Sequence, residues 1–235
     1  MSLRVEGEKT KILLIGFEDC QYCQDAVSFV KSNGFNTTVC WASKDRKSTL
    51  PKVLETWKGD YIFHLKSYNI IPKATLENAK IGAINFHPSP PRYPGSGGLN
   101  FGLYNNDSIT GVTVHYMNEK IDNGEIIDFY SIGIEKNDNI ETLLSKVHKL
   151  QYFAFCDIIK KINNHGNSHI KSMSRDYTKE PWGSKTGRIR DVDALEVVSL
   201  DVSKQELERL IRATSIGRFG PKIILHGKTF RLLKE

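Results

Sequence analysis

Three polar side chains near the middle of the chain are of types that together perform acid–base chemistry. Asn85 and His87 lie in segment 85–89 (NFHPS), and Asp122 follows in segment 121–124 (IDNG). An amide, an imidazole and a carboxylate include no side-chain nucleophile. The substrate itself would therefore attack, while the protein moves protons and stabilises developing charge.

The elements around these residues alternate between strand and helix patterns. Short apolar runs predict strands over 11–16, 37–41, 60–65 and 83–86. A helical stretch that includes Ala26 and Val30 would end at Gly34, and another helix over 72–80 has Pro72 in its first turn. This alternation predicts an α/β fold, a Rossmann-like and mostly parallel sheet with helices on both faces.

The predicted sheet explains how the polar side chains could meet. Residues two apart in a strand share a face, so Asn85 and His87 would point to the same side. His87 would stand at the carboxyl edge, where open α/β sheets bind ligands. Asp122 would lie in a loop between strands over 110–117 and 125–134. His115 alternates with Thr113 and Met117 along the first of these strands, and a structural role is favoured.

The C-terminal part suggests a smaller second domain. Asp138 and Glu141 form a possible capping box for a helix that would end near Asn163. We expect a catalytic domain over 1–165 and an extension over 166–235. The extension would contain a loop over 165–190, a strand over 195–200, a helix over 203–211 and a β-hairpin over 223–233.

Composition narrows the possible partners. The 235 residues carry a net charge of +6, with most of the excess after Lys171. No block of Lys and Arg is dense enough to indicate nucleic acid, and no apolar stretch is long enough to span a membrane. The polar N-terminal segment lacks the apolar core of a secretion signal. We expect a soluble, cytoplasmic protein.

Two other motifs indicate different chemistry. Cys20 and Cys23 form a CxxC pair after a strand, where a thioredoxin-type redox pair would lie, but the flanking Trp and the intervening Pro are missing. Metal-ligand spacing is also missing, so no metal site is predicted. The glycines over 95–98 do not follow a strand directly and precede no Gly-Lys-Ser/Thr, which argues against a P-loop or a dinucleotide site.

The motifs in order resemble one known family. Segments 85–89 (NFHPS), 93–95 (YPG), 111–117 (GVTVHYM) and 121–127 (IDNGEII) are similar to those of the formyltransferases that use N10-formyltetrahydrofolate. The resemblance covers roughly residues 10 to 150. It implies that Asn85, His87 and Asp122 are the catalytic set, and that the folate co-substrate is held by residues of two segments, namely Tyr68, Asn69, Ile70, Ile71, Glu119 and Lys120.

The proline-rich segment 90–95 (PPRYPG) resembles the branch that formylates amino sugars. This implies a nucleotide-linked amino-dideoxy sugar as acceptor, such as dTDP-4-amino-4,6-dideoxyglucose, and a place in surface polysaccharide or O-antigen biosynthesis. Basic and aromatic side chains would hold the nucleotide sugar, and the candidates are Arg92, Tyr93, Gly95 and Trp182. The terminal hairpin would support a homodimer. The alternatives are a glycinamide ribonucleotide or methionyl-tRNA formyltransferase and, in another class, a thiol-redox protein.

The mechanism implied by this resemblance needs a neutral amine that attacks the formyl carbon. Either His87 or a water beside Asp122 could take the amine proton. The Asn85 amide and a protonated His87 would stabilise the oxyanion, and one such donor is worth roughly 3 kcal/mol.

Overall fold

Most strands of the main β-sheet are parallel, and they carry buried apolar side chains. The computed structural model describes residues 9–45, 48 and 51–232. In chain order the elements are β1 (Lys11–Gly16), α1 (Gln21–Ser32), β2 (Asn36–Trp41), α2 (Val53–Thr56), β3 (Gly59–His64), α3 (Lys73–Leu76), β4 (Ala79–His87), α4 (Gly98–Tyr104), β5 (Ile109–Tyr116), β6 (Ile126–Gly133), α5 (Ile140–His165), α6 (Asn167–Asp176), α7 (Ile189–Leu195), α8 (Lys204–Thr214), β7 (Lys222–Leu225) and β8 (Lys228–Arg231).

The main sheet has the strand order β2-β1-β3-β4-β5-β6. β1 pairs in parallel with β2 and β3, and β3 pairs in parallel with β4. The β4–β5 pair is antiparallel, so the sheet is mixed but mostly parallel. Four consecutive side chains of β1, Ile12 to Ile15, are fully buried, as expected of a strand covered on both sides. The predicted α/β fold with a C-terminal hairpin is confirmed.

The chain forms two compact units that are interleaved in sequence. The first comprises residues 1–87, 113–128 and 151–178, and the second comprises residues 88–112, 129–150 and 179–235. The division predicted at residue 165 does not coincide with these units and stays a prediction about domains. Of the helices within the described ranges, none is long and apolar enough to cross a membrane.

In the first unit, packing brings together the carboxyl ends of β3 and β4. The rings of Phe63, Phe86 and Phe155 pack with centroids 5.4–6.4 Å apart. Gln151 of α5, which is buried, donates from Nε2 to the carbonyl oxygens of Leu65 at 2.7 Å and Phe86 at 2.5 Å. Because a buried amide of this kind is costly to leave unpaired, it fixes these two strand ends relative to each other.

The second unit contains the predicted hairpin and a helix start that differs from the prediction. His226 and Gly227, between β7 and β8, have positive φ values of 46° and 73°, as a type I′ turn requires.

Helix α5 is capped by Asn139 rather than Asp138. Asn139 Oδ1 accepts from the backbone of Thr142 at 3.0 Å, and Thr142 Oγ1 accepts from the backbone of Asn139 at 3.0 Å. The predicted pairing of Asp138 with Glu141 was wrong by one position.

Two predicted elements of the C-terminal part were also wrong. Residues 167–176, predicted as loop, form helix α6, whose buried side chain is Ile170. A helix with one buried apolar side chain lacks the periodic pattern that identifies helices in sequence. Residues 195–200, predicted as a strand, make one isolated bridge at Val197, and Leu200 is 74% exposed. The bridge joins Val197 to Lys222 at the start of β7, and pairing at a single position does not form a ladder.

Candidate active site

The three polar residues singled out in the sequence meet around one carboxylate of the first unit. Asn85 Nδ2 donates to Asp122 Oδ1 at 3.1 Å. His87 Nδ1 lies 3.2 Å from the other oxygen, Oδ2. The side chains of His87 and Asp122 are 6% and 9% exposed, so both are screened from bulk water. The expectation that these groups converge is confirmed, while their catalytic roles stay predictions.

Backbone geometry places each group. Asn85 and His87 are two apart at the end of β4 and share a face, as predicted. Asp122 lies in the loop after β5 with a φ of +42°, in the left-handed region that costs energy for a residue other than glycine. At Gly124 the backbone of the same loop lies so close to β5 that a Cβ there would stand 1.7 Å from the carbonyl oxygen of Tyr116. The loop is therefore held in an unusual backbone conformation that carries the carboxylate.

His115 belongs to this group as well, which the sequence reasoning missed because it favoured a structural role. Its Nε2 lies 3.2 Å from Asp122 Oδ1 and 3.1 Å from Asn85 Nδ2. Its Nδ1 lies 2.8 Å from the carbonyl oxygen of Tyr116, which can only accept, so Nδ1 carries a hydrogen. The signal was present in the pairing of β4 with β5, in which Asn85 and His115 are directly opposite. That register cannot be read from either strand alone.

His64, at the end of β3, is the second residue that the sequence reasoning missed. Its Nδ1 lies 2.8 Å from Asn85 Oδ1, and its Nε2 lies 2.8 Å from Ser67 Oγ. Burial lowers the pKa of His64, although the contact with Asn85 acts in the opposite direction. The ring is therefore neutral near pH 7. A histidine at the carboxyl end of a buried strand next to β4 was the available signal.

The residues predicted to hold the folate also lie in the first unit, next to this group. Tyr68 and Ile70 are 47% and 66% exposed, whereas Ile71 is buried. The backbone N–H of Asn69 donates to Ser67 Oγ at 3.1 Å. Segment 67–71 is therefore joined to His64 through Ser67. The same segment exposes the ring of Tyr68 and the side chain of Ile70. These are suitable surfaces for an aromatic ring.

The other predicted folate segment follows β5. Glu119 forms an ion pair with Lys73 at 2.6 Å, and the backbone N–H of Lys120 donates to Asn118 Oδ1 at 2.9 Å. Ile121, directly before Asp122, is 47% exposed. The folate-binding roles of both segments stay predictions.

The predicted sugar-binding residues all belong to the second unit. Arg92 contacts two carboxylates, donating to Asp107 Oδ2 at 2.9 Å and to Glu180 at 3.2 Å. Tyr93 donates from its hydroxyl to Asp107 Oδ2 at 3.0 Å. These contacts offset the charge of the guanidinium that was expected to hold the nucleotide sugar. The roles of Arg92 and Tyr93 toward a substrate stay predictions.

Gly95 and Trp182 lie in two segments that run side by side in that unit. Gly95 bridges to Gly187 and has a φ of +85°, and a Cβ there would stand 2.3 Å from the Gly187 carbonyl oxygen. The backbone N–H of Gly183, next to the half-buried Trp182, donates to the carbonyl oxygen of Pro91 at 3.0 Å. The glycine is therefore needed for the close backbone approach. Its contact with a substrate, like that of Trp182, stays a prediction.

The CxxC pair lies at the start of α1. Cys20 is the N-cap residue, and Cys23 is 1% exposed. Burial, together with the nearby Cys20 thiol, raises the pKa of Cys23 to about 12. Such a thiol is protonated near pH 7 and is a poor nucleophile. The four cysteines are free thiols, and the described residues contain no group of three or more His, Cys, Asp or Glu side chains arranged to hold a metal ion.

Comparison with known proteins identifies a family. Residues 15–159 match the family model described as formyl transferase. A methionyl-tRNA formyltransferase of Ehrlichia ruminantium is 41% identical over 96 residues, which make up 40% of this chain and 32% of that enzyme. The chain thus aligns with about a third of the length of this curated relative.

Solved structures share the fold over nearly the whole chain. A 4-N formyltransferase from Francisella tularensis superposes with a TM-score of 0.73 at 20% identity, covering 96% of this chain and 97% of that one. An N-formyltransferase from Helicobacter canadensis, in complex with folinic acid and dTDP-3-aminofucose, superposes with a TM-score of 0.67 at 18% identity, covering 88% and 80%. At these identities the likeness establishes the fold.

Proposed function

The chain belongs to the formyl transferase family, and we propose that it transfers a formyl group from N10-formyltetrahydrofolate to the amino group of a nucleotide-linked amino-dideoxy sugar. The observation that carries this proposal is the position of the Asp122 carboxylate. One of its oxygens accepts from Asn85 and the other faces His87. Asp122 therefore contacts two side chains, Asn85 and His87, that can donate hydrogen bonds to a formyl oxygen and stabilise negative charge on it.

The folate co-substrate supplies an activated formyl group. In the proposed step, the amine lone pair forms a bond to the formyl carbon, and the carbonyl electrons move onto its oxygen. The intermediate then collapses and the bond to N10 breaks, with a proton moving from the amine to N10. The products are a sugar formamide and tetrahydrofolate, so no oxidant or metal is needed for balance.

Each residue has a defined part in this step. Asp122 can only accept, so His87 Nδ1 carries a hydrogen and its Nε2 would exchange the moving proton with the substrate. Asn85 Nδ2 has two hydrogens, of which one remains on Asp122. The other, on the side of His115 Nε2, would be donated to the formyl oxygen as negative charge develops there, without rotation of the amide.

The choice of acceptor is supported by two features. The proline-rich segment 90–95 resembles that of the amino-sugar branch, and the Helicobacter canadensis structure with the same fold contains a dTDP-linked amino sugar and folinic acid. We place the product in surface polysaccharide or O-antigen biosynthesis. A homodimer is part of the proposal, because the two-stranded hairpin exposes the apolar side chains of Ile224, Phe230 and Leu232.

Methionyl-tRNA is the second candidate acceptor, favoured by the 41% identity with the Ehrlichia ruminantium enzyme.

The proposed function is tested by incubating the protein and 10-formyltetrahydrofolate with one acceptor at a time. The four acceptors are dTDP-4-amino-4,6-dideoxyglucose, dTDP-3-aminofucose, glycinamide ribonucleotide and methionyl-tRNA. Mass spectrometry of each acceptor would detect the added formyl group. We expect formylation of a dTDP-amino sugar. Formylation of methionyl-tRNA or glycinamide ribonucleotide alone would contradict the choice of acceptor, and formylation of none would contradict the proposed function.

A further inference from the structure

The Asp122 carboxylate determines which way the amide of Asn85 points. A carboxylate oxygen accepts hydrogen bonds and donates none, so the atom 3.1 Å from Asp122 Oδ1 is the amide nitrogen. The amide oxygen then faces His64 Nδ1 at 2.8 Å. Two acceptors do not attract each other at this distance, so His64 Nδ1 carries a hydrogen and donates it to Asn85.

Ser67 completes this arrangement from the other side of the ring. Because burial keeps His64 neutral, the ring has one hydrogen, and its Nε2 is an acceptor. The Ser67 hydroxyl lies 2.8 Å from Nε2 and donates to it, while Ser67 Oγ accepts the backbone N–H of Asn69. The three hydrogen bonds therefore form one series in which each group donates to the next. The series runs from the backbone of Asn69 through Ser67 and His64 to the amide oxygen of Asn85.

This direction has a consequence for the chemistry. The terminal torsion of an asparagine side chain is broad, so the amide plane is free to rock unless both of its ends are held. Donation to the amide oxygen also polarises the amide and makes its N–H groups better donors. Both effects act on the Asn85 Nδ2 hydrogens, one of which the proposed function assigns to the formyl oxygen.

We propose that His64 is a positioning residue, which, with Ser67 behind it, holds the Asn85 amide with its nitrogen toward Asp122 and strengthens it as a donor. This inference rests on the proposed function and extends it to a histidine that need not touch either substrate. It also links Asn85 to segment 67–71, the predicted folate-binding segment, through two side chains.

Two variants of His64 and one control variant separate positioning from packing. His64→Leu keeps the volume but removes the donor, and we expect kcat to fall about tenfold, the size of one neutral hydrogen bond, with KM within about twofold. In His64→Asn, the side-chain nitrogen can take the place of Nδ1, and most of kcat should return. His165→Leu, an exposed histidine at the end of α5, is the control and should leave kcat unchanged.

The decisive readout is a double-mutant cycle. If His64 acts only through Asn85, His64→Leu should change kcat by less than about twofold when Asn85 is already Ala. An equal loss in both backgrounds, or no recovery in His64→Asn at equal thermal stability, would overturn the proposal, because packing would then explain the effect.

A measurement without substrate distinguishes failure of this inference from failure of the proposed function. Nitrogen NMR of protein labelled in its histidines should show His64 as the Nδ1–H tautomer, assigned by loss of its signals in His64→Leu or, if that variant does not fold, in His64→Asn. The Nε2–H tautomer or an imidazolium in the wild type at neutral pH would overturn the inference even if His64→Leu does not fold. A wild type with the expected tautomer but no formyl transfer would instead contradict the proposed function.

Discussion

Asn85 donates a hydrogen bond to Asp122 at 3.1 Å across 37 positions of sequence. The bond joins the end of a central strand to a loop residue whose backbone is in the left-handed region. Strained conformations of this kind persist only where the surrounding structure determines them, and they concentrate at functional sites. The geometry of the pair is thus what separates this aspartate from an ordinary loop residue.

His87→Ala tests the role of the imidazole. We expect kcat to fall at least about 100-fold, because the variant loses both proton exchange and a donor to the developing charge. KM for both substrates should change by less than about threefold, since the interaction is made in the transition state. Steady-state kinetics would check this, with His165→Ala as the control. Near-normal turnover of His87→Ala would contradict the assignment.

The buried His64 should make the fold less stable in acid. Its pKa is lowered in the folded protein from an ordinary value of 6.5, so the unfolded chain binds the proton more readily. The stabilisation is therefore complete above about pH 6.5 and is lost as the pH falls from there through the folded pKa. Urea unfolding at about pH 7.5 and about pH 5.5 should show a smaller decrease in the free energy of unfolding for His64→Leu than for the wild type. An equal decrease in both proteins would contradict the lowered pKa.

The double variant Cys20→Ser, Cys23→Ser should keep its formyl transfer. Burial raises the pKa of the Cys23 thiol to about 12, which leaves it protonated and unreactive. We expect kcat within about twofold of the wild type, in reducing and in oxidising buffer. A loss of activity together with a disulfide detected by mass spectrometry in the oxidised wild type would revive the thiol-redox alternative.

The hairpin should form the interface of a homodimer. Phe230 is 57% exposed on a two-stranded sheet, a kind of surface that favours pairing. We expect light scattering to give a dimer mass for the wild type and a monomer mass for Phe230→Asp. Lys204→Asp, which places the same charge on an exposed position of α8, should remain dimeric. A monomeric wild type, or dimers of Phe230→Asp, would contradict this interface.

Local patterns were sufficient to predict much of the fold. The buried run of β1, the end of α1 before Gly34 and the turn at His226–Gly227 each depend on a few neighbouring residues. The shared face of Asn85 and His87 follows from the two-residue period of a strand. Each of these features depends on residues that are close together in the sequence, so the sequence alone is sufficient to predict it.

The remaining features depend on contacts between distant segments. Helix α6 buries Ile170 and is tied at its start by Tyr61, whose hydroxyl donates to Asn167 Oδ1 at 2.7 Å. His64 and His115 join the candidate site because β3 and β5 flank β4, and strand order and register are properties of the whole sheet. A sequence shows the histidines but not their neighbours.

Formyl transfer by Asp122→Asn compared with the wild type tests the central claim most directly. With enzyme in excess over the acceptor and saturating 10-formyltetrahydrofolate, rapid quenching and mass spectrometry give the rate of formamide formation on a dTDP-amino sugar. We predict rapid product formation by the wild type and a rate at least about 100-fold lower for Asp122→Asn. Asp157→Asn, which changes a carboxylate of α5, should match the wild type. Equal rates for Asp122→Asn and the wild type would contradict the account.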